Sequence, residues 1–76
     1  MDAQHMGEQI LAQQVQVRRH VLRVARKDLA QAELGLTRAS GRGDRKLVRR
    51  YARQVDKAKA DIAYAQAQLD ELGAVR

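Results

Sequence analysis

A chain of 76 residues makes one domain at most and has difficulty burying enough surface to be stable alone. It contains no Cys and no Phe or Trp, which excludes disulfides and thiolate metal sites and leaves an aliphatic core with oligomerisation as the support to expect. Lys and Arg number 15 against 9 Asp and Glu, a formal net charge of +6 that favours anionic partners.

In chain order, residues 1–7 read as a flexible leader. From Glu8 a seven-residue repeat begins, with Val15, Leu22, Leu29 and Leu36 at one position and Leu11, Ala25, Ala32 and Ala39 at the other. The 4,3 spacing puts them on one stripe of a helix, predicted over about 8–39, with Arg18 as the one polar interruption. The stem of Arg18 is expected on Leu69 with its guanidinium toward Asp70 or solvent, the alternative being a polar device that limits register. Residues 40–44, Ser-Gly-Arg-Gly-Asp, read as a turn: Gly41 is expected to take the left-handed conformation that closes helix 1, and Asp44 to cap helix 2. The second helix, about 45–72, repeats the pattern with Val48, Tyr51, Val55, Ala58, Ile62, Ala65, Leu69 and Leu72, and Gly73 is expected to stop it.

So short a link forces neighbouring antiparallel helices. Folding there opposes positions that sum to about 87: Leu36 with Tyr51, Ala32 with Val55, Leu29 with Ala58, Ala25 with Ile62, Leu22 with Ala65. Four of these pairs set an Ala against a larger residue, which allows close axes with few voids. The expected fold is all-α, an antiparallel two-helix coiled-coil hairpin.

A second apolar line, Ile10, Gln14, Val17, Val21 and Val24, follows the same rhythm and ends at Asp28, so it covers only the half of helix 1 far from the turn. Tyr64 and Val75 lie at comparable flanking positions of helix 2. Ile10, Gln14, Val17, Val21, Val24 and Tyr64 are therefore candidates for a protein interface. The simplest form is a homodimer making a four-helix bundle; a helical protein partner accounts for the composition equally well.

All the net charge comes from one segment. Residues 38–53 carry Arg38, Arg42, Arg45, Lys46, Arg49, Arg50 and Arg53 against Asp44 alone. Cations at a helix N-terminus oppose its dipole, and Arg45 with Arg49, Lys46 with Arg50 and Arg49 with Arg53 are like-charge pairs four apart. Local rules broken together point to a surface shaped for something other than stability. Phosphate is the matching counter-charge, since arginine makes bidentate phosphate contacts. Arg19, Arg23 and Arg26 form a secondary basic face, diluted by Asp28 and Glu33.

The sequence has no helix-turn-helix spacing, zinc finger, aromatic RNA-binding pattern or Gly-rich phosphate loop. A thin hairpin offers little enclosed volume for catalysis, and His5, His20 and Ser40 are far apart along it, so no enzyme, cofactor, metal or small-molecule ligand is expected. No stretch approaches a membrane span and no targeting segment stands out, which predicts a soluble, cytoplasmic protein without membrane insertion. The leading expectation is a small nucleic-acid-associated adaptor or regulator that contacts DNA or RNA backbone through its basic tip. The alternative is a protein-protein interaction module (inhibitor, assembly factor or subunit) that binds no nucleic acid.

Overall fold

A computed structural model of the chain describes residues 3–74, with side chains described over 7–73. Two helices, α1 (Ala3–Arg42, 40 residues) and α2 (Arg45–Ala74, 30 residues), pack against each other along their length as an antiparallel hairpin. The molecule is a rod of 62 × 17 × 13 Å. At 1.5 Å per residue α1 accounts for the whole length, about 60 Å, and α2 for about 45 Å. The difference is taken up at the open end, where the first turns of α1 project past α2.

α1 starts at Ala3 rather than near Glu8, so the expected leader is helical from its third residue; Met1 and Asp2 lie outside the described residues. No proline stops the helix there, and Gly7 costs only about 1 kcal/mol relative to Ala.

The turn is also tighter than the five residues expected. α1 continues through Gly41 to Arg42, and the left-handed residue is Gly43, with φ 72°; among the described residues no other glycine has positive φ. The Gly43 N–H donates to the Ser40 carbonyl and the Asp44 N–H to the Ala39 carbonyl, both at 3.1 Å, the paired closure of a Schellman cap. Asp44 then starts α2: its carbonyl accepts from Val48 N–H at 2.9 Å and its carboxylate from Leu47 N–H at 3.2 Å. Gly41 is a helical residue because one residue, Asp44, both completes the C-cap of α1 and serves as the N-cap of α2. That double use lets α1 run two residues further before the chain reverses.

The seam is where the heptad pattern places it. Ala65 (1% exposed), Ala32 and Ala39 (3%), Ala58 (4%), Ala25 (5%), Leu22 and Val55 (7%) are buried, and the remaining seam residues, Leu11, Val15, Leu29, Leu36, Val48, Tyr51, Ile62, Leu69 and Leu72, are half-buried. Five of the seven buried side chains are Ala. A two-helix pair has one line of contact, so small residues fill the line and larger neighbours cover its edges while staying partly wet.

Two residues, one on the seam and one beside it, break the pattern informatively. Arg18 is half-buried, and its Nε is buried with no hydrogen-bond partner. Of the two expected ends for the guanidinium, Asp70 or solvent, it does not take Asp70, whose Oδ1 accepts from Gln66 Nε2 at 3.2 Å. Gly35 has a definite role: a Cβ there would lie 2.5, 2.7 and 2.8 Å from Cε1, Cζ and Cδ1 of Tyr51. The Tyr51 ring lies directly on the α1 backbone at Gly35, beside Leu36.

Candidate nucleic-acid interface

In an antiparallel pair, residues that immediately precede a seam position point to the same flank from both helices. A shallow groove lined by Asp28, Gln31, Gln54, Lys57 and Asp61 marks this flank, and a second, lined by Val21, Val24, Ala25, Asp28 and Asp61, continues it toward the open end. Residues that follow a seam position lie on the opposite flank.

All seven cations near the turn are exposed. Arg38 and Arg42 line one cleft with Gly35, Leu47 and Tyr51, on the flank that carries the valines. The helical register puts Arg50 on that side as well. Arg45 and Arg49 line a cleft with Ser40, Gly43 and Val48 on the other flank. Lys46 and Arg53 fall on the outer face of α2. The basic segment is thus a collar around the tip rather than a plane.

Nothing local neutralises this collar. The only acidic residue in the segment, Asp44, has its carboxylate turned to the Leu47 N–H, and among the described residues none of the seven cations is in an ion pair. α2 has no acidic residue in its first turn, so Arg45, Lys46 and the exposed N–H groups of that turn present positive charge together. Rigid backbone supports them on both sides of the two-residue link.

The secondary basic face is smaller. Arg19, Arg23 and Arg26 are exposed and line one shallow cleft with Gln16, Val17, His20 and Leu22, so this basic face borders Val17 of the apolar line. Among the described residues, no group of His, Cys, Asp and Glu side chains is placed to hold a metal ion, and no helix is long and apolar enough to cross a membrane.

The second apolar line is solvent-exposed: Ile10 by 53%, Val17 by 52%, Val21 by 42%, Val24 by 44% and Tyr64 by 68%. Gln14 is exposed between them, and the Tyr64 hydroxyl accepts from Gln68 Nε2 at 2.9 Å. Val75 lies outside the described residues. Leu34, 53% exposed on the outer face of α1, was not anticipated from the sequence. It falls on neither periodic line, and only its apolar character at an outward position signals it.

No protein-family model matches the chain, and no curated protein or solved structure is significantly similar to it.

Proposed function

We propose that the protein is a small adaptor or regulator that holds nucleic-acid phosphate backbone with its hairpin tip and pairs with a second copy through the valine flank, giving a four-helix bundle. The observation that carries the first part is the collar: seven exposed cations, free of ion pairs among the described residues, on the two helix ends that flank Gly43 and Asp44. Their mutual repulsion disfavours the free protein and is relieved by phosphate, whose bidentate fit to arginine makes it a better counter-charge than scattered salt ions.

Binding by backbone contact, without base reading, follows from size. The B-DNA major groove, about 12 Å wide, admits one α-helix with its side chains. The hairpin already spans 17 × 13 Å between Cα atoms, too broad to seat base-reading side chains along a groove. The collar instead meets phosphates with the end of the rod. The chemistry is binding rather than catalysis.

The second part is supported by the thinness of the core. The chain exposes 6293 Å², against about 4,700 Å² for a compact monomer of this mass. Among the described residues, seven side chains form the buried core.

The test is equilibrium binding to a mixed-sequence duplex DNA and, separately, a duplex RNA, at about 50 and 300 mM salt. Neutralising about five phosphates gives a log–log salt slope near −4.5 on DNA, so affinity is expected to fall by about 3.5 orders of magnitude over that range. Replacing Arg45, Lys46, Arg49 and Arg50 with Ala is expected to abolish binding while leaving helicity intact or slightly higher. Affinity that survives this replacement overturns the tip as the site. Indifference to both nucleic acids turns the reading to a protein-interaction module whose tip docks on an acidic protein.

A further inference from the structure

We infer that the two copies pair antiparallel through their valine flanks, so that the basic tips stand at opposite poles and one pair bridges two separate phosphate backbones. The bridging rests on the tip reading above; the opposed arrangement does not.

The occupant of the valine flank follows from area and charge. A stable pair needs about 800 Å² buried per partner, and this rod exposes about twice that in excess of a compact chain of its mass. The exposed apolar residues of this flank, Ile10, Val17, Val21, Val24 and Tyr64, all lie in the half away from the tip. Toward the tip the same flank carries Arg38, Arg42 and Arg50.

Two orientations put this flank against its own copy. With the rods parallel, Arg38, Arg42 and Arg50 meet the same region of the partner. The two collars then sit within about one Debye length, roughly 8 Å at physiological salt, where repulsion is barely screened. With the rods antiparallel about Val21, Val21 faces its counterpart, Val17 faces Val24, and Gln14 comes level with Asp28. Tyr64 lies near the two-fold axis, so the apolar half is covered; Arg38 and Arg50 lie alongside the first turn of the partner's α1, and Arg42, Gly43 and Arg45 stand at the end of the pair. Val21 lies 22 residues from Gly43 in α1, so each tip is about 33 Å from the axis and the two are about 66 Å apart. That is many Debye lengths, and it is too far for both tips to meet one short run of phosphates. A pair built this way presents two independent end-on sites facing away from each other.

The chain has no Cys, so one label position can be introduced without interference. Gly41 is suited to it, with nothing within 4 Å of its built Cβ. A pulsed electron-spin distance measurement on spin-labelled Gly41→Cys is expected to give about 60 Å between copies. A distance of about 20 Å or less means parallel tips and overturns the inference. So does a monomer mass in sedimentation of the unmodified protein. Val17→Lys with Val21→Lys is expected to give a folded monomer, because both side chains are exposed in the hairpin, whereas Leu34→Lys, on the outer face, is expected to leave the pair intact.

Bridging is read by capture of a fluorescent duplex on beads carrying a second duplex. Wild type is expected to capture it; the double-Lys variant is expected to bind a single duplex and capture none. If wild type binds a duplex but does not bridge two, the inference fails and the tip reading stands. A 60 Å distance without nucleic-acid binding leaves the opposed pair standing and overturns the tip reading and, with it, the bridging.

Discussion

Gly35→Ala tests the packing at the tip end of the seam most directly, because two opposing terms of known size meet there. In an exposed helix interior the substitution stabilises by about 1 kcal/mol. Here the new methyl would lie 2.5–2.8 Å from three carbons of the Tyr51 ring, against an optimal separation of about 3.5–4.0 Å. Relieving that overlap, by tilting the ring or moving α1, costs about 1–3 kcal/mol. The net expectation is a loss of about 1 kcal/mol, a drop in Tm of about 4–8 °C for a chain of this size. In a Tyr51→Ala background the obstacle is gone and the same substitution is expected to stabilise by about 1 kcal/mol. The double-mutant cycle therefore carries a coupling of about 1–3 kcal/mol, with a change of sign between backgrounds. Urea unfolding followed by circular dichroism, at one fixed protein concentration to hold any association constant, measures all four corners. Equal stabilisation by Gly35→Ala in both backgrounds would show that Tyr51 does not rest on Gly35.

Other substitutions separate the remaining assignments. Gly41→Ala is expected to stabilise by about 0.5–1 kcal/mol, because Gly41 is helical with open space around it, whereas Gly43→Ala is expected to cost about 1–2 kcal/mol for forcing a Cβ into the left-handed region. Thermal melts of the two variants decide which glycine closes α1, and the reverse order would restore the turn at Gly41. Asp44→Ala is expected to cost about 1 kcal/mol through loss of the bond to Leu47 N–H, read as a shift in the urea midpoint. Arg18→Leu replaces a seam residue whose buried Nε has no partner; it is expected to raise stability by about 1–3 kcal/mol, and a loss in the same assay would mean that the arginine stem packs better than its polar head costs.

The fold was legible from periodicity because one seam is all that a two-helix pair needs. Every one of the 17 positions from Leu11 to Leu72 picked out by the 4,3 rhythm is buried or half-buried. The helix ends were less legible. Gly41 and Gly43 each fit a C-cap rule, and the choice between them depends on how the Ala39 carbonyl and the Leu47 N–H share Asp44, a relation across the turn that no single-helix rule contains. The role of Gly35 was not legible, because the ring it accommodates comes from the other helix, 16 residues on. The pairing sum of about 87 sets Tyr51 against Leu36; the ring extends one residue aside, onto Gly35. The charge collar was visible as a segment, but its division between two flanks needs the antiparallel geometry. Leu34 lies off both apolar lines, so periodicity had nothing to say about it.

The two-residue link also bears on how the hairpin forms. Contacts beside Gly43 and Asp44 close the shortest loops and lose the least chain entropy, so pairing is expected to begin at the tip and run toward the open end. The earliest native contacts then form among Arg38, Arg42, Arg45, Lys46, Arg49, Arg50 and Arg53, the densest like-charge cluster in the chain. Chain closure is cheapest where charge crowding is worst. Polyanions that gather at the tip are therefore expected to accelerate folding itself, with the rate of hairpin formation rising before any change at the open end.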